Sequence, residues 1–138
     1  MSVHTYINFQ GNCREALNFY RHIFNAEAHE IMTYGDAPED SGHSIEEEYK
    51  ELIMHTALEI YGTLIMFSDI LPGEPFVEGN NISMVIMLKD SEEIKSLYEQ
   101  LKVGGTVEME LQETFFSKCY GSVKDKFGVI WQIMQDDM

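Results

Sequence analysis

One histidine and one carboxylate in this sequence, His55 and Asp69, lie where they could do chemistry. His55 lies between Ile53 and Ala57, and alternation along a strand would place all three on one face. A histidine with such neighbours either lines a cavity or is satisfied within the core. Asp69 follows a strongly apolar segment. It can end the strand by accepting backbone hydrogen bonds, or hold a cation at the mouth of a cavity.

Aromatic and thiol side chains are the next candidates. Phe115, Phe116 and Tyr120 lie on or just before a predicted strand, where they can stack on a ligand or fill the core. Cys13 begins a predicted helix, a position at which the helix dipole lowers the pKa of a thiol. No base is evident near it in sequence, so we expect Cys13 to be structural.

Composition narrows the classes of function. The chain has 138 residues, with 9 Lys plus Arg against 24 Asp plus Glu and a net charge of -15. This charge repels phosphate backbones and anionic membranes and favours cationic or neutral small molecules. The two cysteines form no disulfide framework, and the sequence has neither a signal peptide pattern nor a membrane-length apolar run. We therefore expect a cytoplasmic protein without nucleic-acid or membrane partners.

The first half of the chain predicts a strand, a helix and a hairpin. Residues 3–9 are rich in strand formers, and Asn12 can cap a helix with Glu15 reaching back to it. Further strands are expected at residues 28–34, 52–60 and 63–68, with Tyr61-Gly62 as the hairpin turn. Residues 35–50 combine Gly, Pro, Ser and many acids, which is typical of a solvated loop.

The second half repeats this order. A strand at residues 82–88 precedes a helix that Ser91 can cap and that Gly104-Gly105 ends, and strands follow at residues 107–111, 119–123 and 129–134. Tyr20 can be laid on Tyr98, and further along the two halves the hairpin glycines Gly62 and Gly128 also match. The order βαβββ therefore occurs twice. We predict an α+β fold, a single domain over 1–138 with modules at about 3–69 and 82–135. The modules would form a curved, mostly antiparallel sheet around a cavity.

Three segments carry a family resemblance: GNCREALNFY, FSD and DKFGVIW, in that order. They resemble the PhnB-like branch of the vicinal oxygen chelate superfamily, which contains glyoxalase I, extradiol dioxygenases, fosfomycin-resistance thiol transferases and bleomycin-binding proteins. The resemblance covers nearly the whole chain. It implies the glyoxalase-like fold of paired βαβββ modules, usually assembled as a homodimer.

The resemblance also assigns the positions that metal-using members fill with ligands. In this chain they hold His4, Ser83, Met66 and Gln132, of which His4 alone is a good ligand. A divalent cation needs about three or four nitrogen or oxygen donors. The resemblance therefore implies that the usual metal site is lost and that no cofactor is required. The alternative is a cation held by His4, His55 and Gln132.

A small-molecule binding protein of the non-metal type is the expected function, with a ligand that is cationic or amphipathic. Gln132 would point into the cavity and the neighbouring Trp131 outward. We expect the following residues to line the cavity: His4, His55, Met66, Asp69, Ser83, Tyr120 and Gln132. The alternative is a divalent-metal-dependent lyase, transferase or dioxygenase of the superfamily, so catalysis is left open. Some branch members are described as demethylubiquinone methyltransferases, but no glycine-rich strand-to-helix turn for a nucleotide-like cofactor is present.

Overall fold

A computed structural model describes residues 1–38 and 45–136. The chain divides into two compact units, Met1–Phe76 and Val77–Met138, which we call module one and module two. The division falls between the two predicted modules, the first of which ends at about residue 69 while the second begins at about residue 82. The single domain over 1–138 and the cavity stay predictions.

Module one contains a four-stranded mixed sheet in the order β1-β4-β3-β2. Strand β1 is parallel to β4, while β3 is antiparallel to both β4 and β2. Short 3-10 turns lie between β2 and β3, at Tyr34–Asp36 and Glu47–Tyr49. The main elements are β1 (Thr5–Phe9), α1 (Cys13–Phe24), β2 (Met32–Thr33), β3 (Ile53–Ile60) and β4 (Thr63–Asp69).

Module two has the same topology, with a sheet in the order β5-β8-β7-β6. Strand β5 is parallel to β8, and the remaining pairs are antiparallel. The predicted α+β class and the duplicated βαβββ order are therefore confirmed. The elements are β5 (Met84–Leu88), α2 (Ser91–Leu101), β6 (Thr106–Gln112), β7 (Tyr120–Lys124) and β8 (Ile130–Gln135).

Each helix covers one face of the sheet in its own module. In module one, the ring of Phe67 stacks on Tyr20 of α1 at a centroid distance of 5.8 Å. One apolar side of each helix is buried against the sheet, and Leu17 of α1 and Ile94 of α2 are both inaccessible to solvent. Because side chains alternate along a strand, the residues between the core positions point away from the helix. We call this second surface of each sheet the far face.

Helix capping differs from the prediction at both helices. The side chain of Asn12 makes no capping hydrogen bond, and Asp69 from the end of β4 takes that role. In α2 the cap is Asp90, whose carboxylate accepts from the backbone N–H of Glu92, and Ser91 is the first helical residue. The cap of α1 thus comes from a strand far away in sequence, which local spacing does not reveal.

The strand predicted over 28–34 is shorter than expected. Only Met32–Thr33 pairs as a strand, and Ala28 adds one isolated bridge to Leu58. Part of the loop predicted over 35–50, residues 39–44, lies outside the described residues. In the part of the chain that the structure describes, we find no helix with the length and apolar character needed to cross a membrane.

Candidate functional site

The strand registers of the two modules are equivalent. Thr5 pairs with Ile65 in module one, and Met84 pairs with Trp131 in module two. Met66 and Gln132 follow the β4 and β8 members of these pairs, so they are counterparts. His4 and Ser83 directly precede the β1 and β5 members, so they are counterparts as well. The positions that the resemblance assigned to metal ligands are therefore equivalent by register as well as by sequence.

The far face of module one carries His55, one of the two predicted site histidines. Met66 pairs with Tyr6 on β1 and with Ala57 on β3, so the side chains of these strands that point away from α1 surround it. The ring of His55 lies 5.7 Å from the ring of Tyr6, and its Nδ1 is 3.3 Å from the Tyr6 hydroxyl. His55 therefore lies on the far face, paired with a tyrosine.

Tyr6 is a far-face residue that the sequence reasoning missed. Its side chain is 45% exposed and lies two positions after His4. The signal was available, because residues two apart on a strand share a face. His4 itself is exposed, and its ring contacts the hydroxyl of Ser2 at 2.7 Å and the carbonyl of Leu64 at 3.2 Å.

The far face of module two carries a chain of three polar side chains. The hydroxyl of Tyr120 donates to Oε1 of Gln132 at 2.7 Å, and Nε2 of Gln132 donates to the hydroxyl of Ser83 at 2.7 Å. We call this chain the Ser83–Gln132–Tyr120 relay. All three residues are partly buried, and the contacts fix the side-chain amide in one orientation. The structure thus brings together three of the predicted site residues.

Apolar and aromatic side chains surround the relay. Val85 pairs with Gln132, and Val85 and Met87 are about half exposed, at 50% and 52%. The ring of Phe116 meets the ring of Tyr120 edge to face, with centroids 5.1 Å apart. Phe115 is fully exposed beside Phe116. The relay is therefore a polar centre within an accessible apolar surface, as in many small-molecule sites.

Trp131 faces the opposite way from the relay, as predicted, and its indole is buried. Its Nε1 donates to the carboxylate of Asp125 at 2.8 Å. The other oxygen of Asp125 accepts from the backbone N–H of Phe127 and of Val129, at 2.8 and 3.1 Å. Asp125 therefore organises the turn between β7 and β8 and anchors the indole.

Asp69 is placed as a structural carboxylate. It is 2% exposed, so it does not lie at an accessible cavity mouth as the cation-holding reading required. Oδ1 accepts from the backbone N–H groups of Gly11 and Cys13 at 3.0 and 2.9 Å, and Oδ2 accepts from that of Ile53 at 3.0 Å. This geometry agrees with the expectation that Asp69 ends the strand and accepts backbone hydrogen bonds.

The thiol of Cys13 differs from the expectation based on the helix dipole. Burial raises the pKa of Cys13, and the nearby negative charge of Asp69 raises it further. Desolvation and the neighbouring carboxylate thus outweigh the helix terminus. The thiol stays protonated at neutral pH and is structural, as the absence of a nearby base in sequence had indicated.

The donor groups do not fit a conventional metal site. Among residues 1–38 and 45–136, no three or more His, Cys, Asp or Glu side chains cluster in a way that could hold an ion. The Met66 thioether and the Gln132 amide replace charged ligands, and the amide is already hydrogen-bonded at both ends. A hard or borderline divalent cation requires a larger set of oxygen and nitrogen donors.

The two strand-to-helix turns do not fit an anionic or nucleotide-like cofactor. At the start of α1, the N–H groups of Gly11 and Cys13 are bonded to Asp69. At the start of α2, Asp90 occupies the N–H of Glu92. Helix N-termini bind anions through such N–H groups. Here carboxylates of the chain itself already accept from three of these N–H groups.

Comparison with known proteins adds a family and its relatives. Residues 1–134 match the family model described as 3-demethylubiquinone-9 3-methyltransferase. Protein YjdN of Escherichia coli is 33% identical over 140 residues, which cover 96% of this chain and 94% of YjdN.

Solved structures agree with this match. Protein PA1353 from Pseudomonas aeruginosa superposes with a TM-score of 0.86 at 30% identity, covering 99% of both chains. A putative 3-demethylubiquinone-9 3-methyltransferase, PhnB protein, from Bacillus cereus gives a TM-score of 0.76 at 25% identity, covering 99% of this chain and 100% of that one. The fosfomycin resistance protein FosX from Listeria monocytogenes shares the fold, with a TM-score of 0.66 at 16% identity over 97% of this chain and 91% of FosX.

Proposed function

The chain belongs to the family described as 3-demethylubiquinone-9 3-methyltransferase, and from that premise we propose that it is a PhnB-like member of the vicinal oxygen chelate superfamily that binds a small organic molecule without a resident metal ion. The proposed site is the far face of module two around the Ser83–Gln132–Tyr120 relay. His4 and His55, with Met66 between their strands, are the corresponding positions of module one.

The observation that carries this proposal is that residues at positions which metal-using relatives fill with ligands are hydrogen-bonded to other side chains of the chain. Gln132 and Ser83 are hydrogen-bonded to each other at 2.7 Å, and the second end of the amide accepts from Tyr120. A side chain held in this way presents a fixed pattern of hydrogen-bonding groups. It supports recognition of a polar group of a ligand better than coordination of a cation.

Charge and surface chemistry support an organic ligand that is cationic or amphipathic overall. The net charge of -15 attracts cations over a distance and repels anions. Val85, Met87 and Phe116 offer apolar surface next to the relay. Burial of apolar area against such a surface provides affinity, while a few polar groups fix the orientation of the ligand.

Methyl transfer is not part of the proposal, although the family description names it. A nucleotide-like methyl donor needs a turn whose backbone N–H groups face it. At the start of α1, Asp69 accepts from the N–H groups of Gly11 and Cys13, and at the start of α2, Asp90 accepts from that of Glu92. The binding function proposed here involves no cofactor.

Metal analysis combined with a binding screen tests this function. Protein purified without chelator is expected to contain much less than one equivalent of any divalent metal. Its melting temperature should rise with members of a panel of cationic aromatic compounds, because a ligand that binds only the native state stabilises it. One equivalent of bound metal that is lost in His4→Ala would contradict the proposal. It would support the metal-dependent lyase, transferase or dioxygenase instead.

We also propose a cytoplasmic homodimer. The family resemblance carries this proposal, and the edge strand β6, which is largely exposed, is consistent with it because edge strands are usually covered or paired. Light scattering on the eluting protein should give about twice the monomer mass of 15.9 kDa. A monomer at micromolar concentration would contradict the homodimer and leave the binding proposal intact.

A further inference from the structure

We propose that the relay recognises a neutral group carrying a hydrogen-bond acceptor beside a hydrogen-bond donor, as in a primary carboxamide or a lactam. This inference rests on the proposed binding function and names the chemistry of the group that meets the relay. It follows from counting which protons and lone pairs the relay uses internally and which it leaves for a ligand.

The direction of the hydrogen bonds determines what remains. Tyr120 uses its only hydroxyl proton on Oε1 of Gln132, so its oxygen can still accept. Gln132 uses one Nε2 proton on the hydroxyl of Ser83 and keeps the second. Ser83 accepts from Gln132 and keeps its own proton to donate. Among the residues that the structure describes, no other hydrogen bond to these three groups is found.

The relay therefore presents donors at Ser83 and Gln132 and an acceptor at Tyr120. The carbonyl oxygen of a carboxamide can accept at the donor end, while its N–H donates to the tyrosine oxygen. Each bond of the chain polarises the next, so a ligand that continues the same direction gains from that alignment. The exposed side chains of Val85 and Met87 and the ring of Phe116 leave room for an apolar body attached to the amide.

Charged head groups match this pattern less well. A carboxylate has no proton for the oxygen of Tyr120, and the net charge of -15 repels it. An ammonium group has no lone pair for the protons of Ser83 and Gln132, which would then face its own protons. Each mismatch leaves a polar group of the relay without a hydrogen-bond partner, which weakens binding. A positive charge on the ligand would therefore lie away from the relay.

Three fragments with one ring and different head groups test the inference: benzamide, benzoate and benzylamine. Each is titrated into the full-length protein, uniformly labelled with 15N, at 0.15 M salt to screen the overall charge. The readout is the pair of side-chain Nε2 resonances of Gln132, assigned through their loss in Gln132→Met. Benzamide should shift these resonances with an affinity roughly tenfold above that of the other two fragments, because those leave a hydrogen bond unmade.

Reversal of the relay provides the second arm. In Gln132→Glu, a carboxylate accepts from both Tyr120 and Ser83, so the proton of Ser83 is consumed and the donor end is lost. The preference for benzamide should fall to within about twofold, or pass to benzylamine, as followed by the backbone amide of Gly121. Gln10→Glu adds the same charge at an exposed position of module one and should keep the tenfold preference.

The outcomes separate the two proposals. Binding of benzoate or benzylamine at the relay with an affinity equal to that of benzamide overturns the amide inference and leaves the binding function standing. An unchanged preference in Gln132→Glu overturns it as well. If none of the fragments perturbs Ser83, Gln132 or Tyr120, the far face of module two is not the site, and both proposals fail.

Discussion

The side-chain amide of Gln132 donates to the hydroxyl of Ser83 over 2.7 Å, and this bond links the parallel strands β5 and β8 on the far face of module two. The equivalent positions of module one, Met66 and His4, make no such bond. His4 contacts the Leu64 carbonyl and Ser2 instead. Duplicated backbones therefore carry different polar centres, and the hydrogen-bonded one lies in module two.

Removal of the central amide should disconnect the relay. Gln132→Met keeps a side chain of similar length but leaves the hydroxyls of Ser83 and Tyr120 without their partner. Because these groups are only partly buried and water can replace some contacts, we expect a loss of about 1 kcal/mol in the free energy of unfolding. Urea denaturation measures this loss. Binding of the fragments described above should fall at least tenfold.

A matched variant distinguishes loss of the relay from a general effect of methionine. Gln10→Met at an exposed position of module one should change the unfolding free energy by less than about 0.5 kcal/mol and leave fragment binding unchanged. Equal effects of the two variants would mean that the amide of Gln132 has no special role.

The carboxylate of Asp69 should be one of the main polar contributors to stability. It is buried and accepts backbone hydrogen bonds from Gly11, Cys13 and Ile53. In Asp69→Asn, the amide NH2 must face a backbone donor, so one buried N–H loses its acceptor and the charge assistance disappears. We expect a loss of roughly 2–4 kcal/mol in the free energy of unfolding, measured by chemical denaturation.

The same exchange at Asp90 is the control. Asp90 caps α2 through the N–H of Glu92, and asparagine is about as good a cap as aspartate. Asp90→Asn should therefore cost less than about 0.5 kcal/mol. If Asp69→Asn costs no more than this, the hydrogen bonds of Asp69 to the start of α1 and to β3 do not stabilise the fold in the way proposed.

Some features of the fold are encoded by residues that lie close together in the sequence. The helix after Asn12 and the hairpin at Tyr61-Gly62 depend on residues that are close together in the sequence, and both were predicted correctly. The duplicated order was also visible, because equivalent residues such as Tyr20 and Tyr98 recur in each half. The cap of α1 was predicted wrongly because it depends on a contact between distant segments, whereas the cap of α2 was misplaced by one residue, from Asp90 to Ser91.

Asp69 is the main example. Its neighbours in sequence suggest either a strand end or a cation-binding carboxylate, but its hydrogen bonds reach Gly11 and Cys13, more than fifty residues away. The relay has the same property, since Ser83 and Gln132 are separated by 49 positions and meet only through the parallel β5–β8 register. Position along the chain identified these residues, but their mutual contact required the fold.

The two cysteines should react very differently. Burial and the neighbouring Asp69 raise the pKa of Cys13, so its thiol is both inaccessible and protonated, whereas Cys119 is only partly buried. In the native protein at pH 8, a thiol reagent such as Ellman's reagent should modify one cysteine, and two after unfolding in urea. Cys119→Ser should remove the reactive thiol. Rapid native modification of that variant would show that Cys13 is accessible.

Stability at high pH should depend on Tyr98. Burial, followed by the hydrogen bond to Glu110, raises the pKa of Tyr98 from its usual value of 10.0 to about 12. Between these two values the unfolded chain releases the phenol proton while the folded chain retains it. The folded state then binds more protons, so the free energy of unfolding falls as the pH rises from about 10 to about 12 and is unaffected by this group below about 10.

Denaturation of wild type and Tyr98→Phe at pH 8, 10 and 11 measures the effect. The phenylalanine variant is less stable at pH 8, because it lacks the hydrogen bond to Glu110, but it should lose less stability than wild type between pH 10 and 11. Parallel pH profiles for the two proteins would mean that the Tyr98 phenol has the same pKa in the folded and unfolded states.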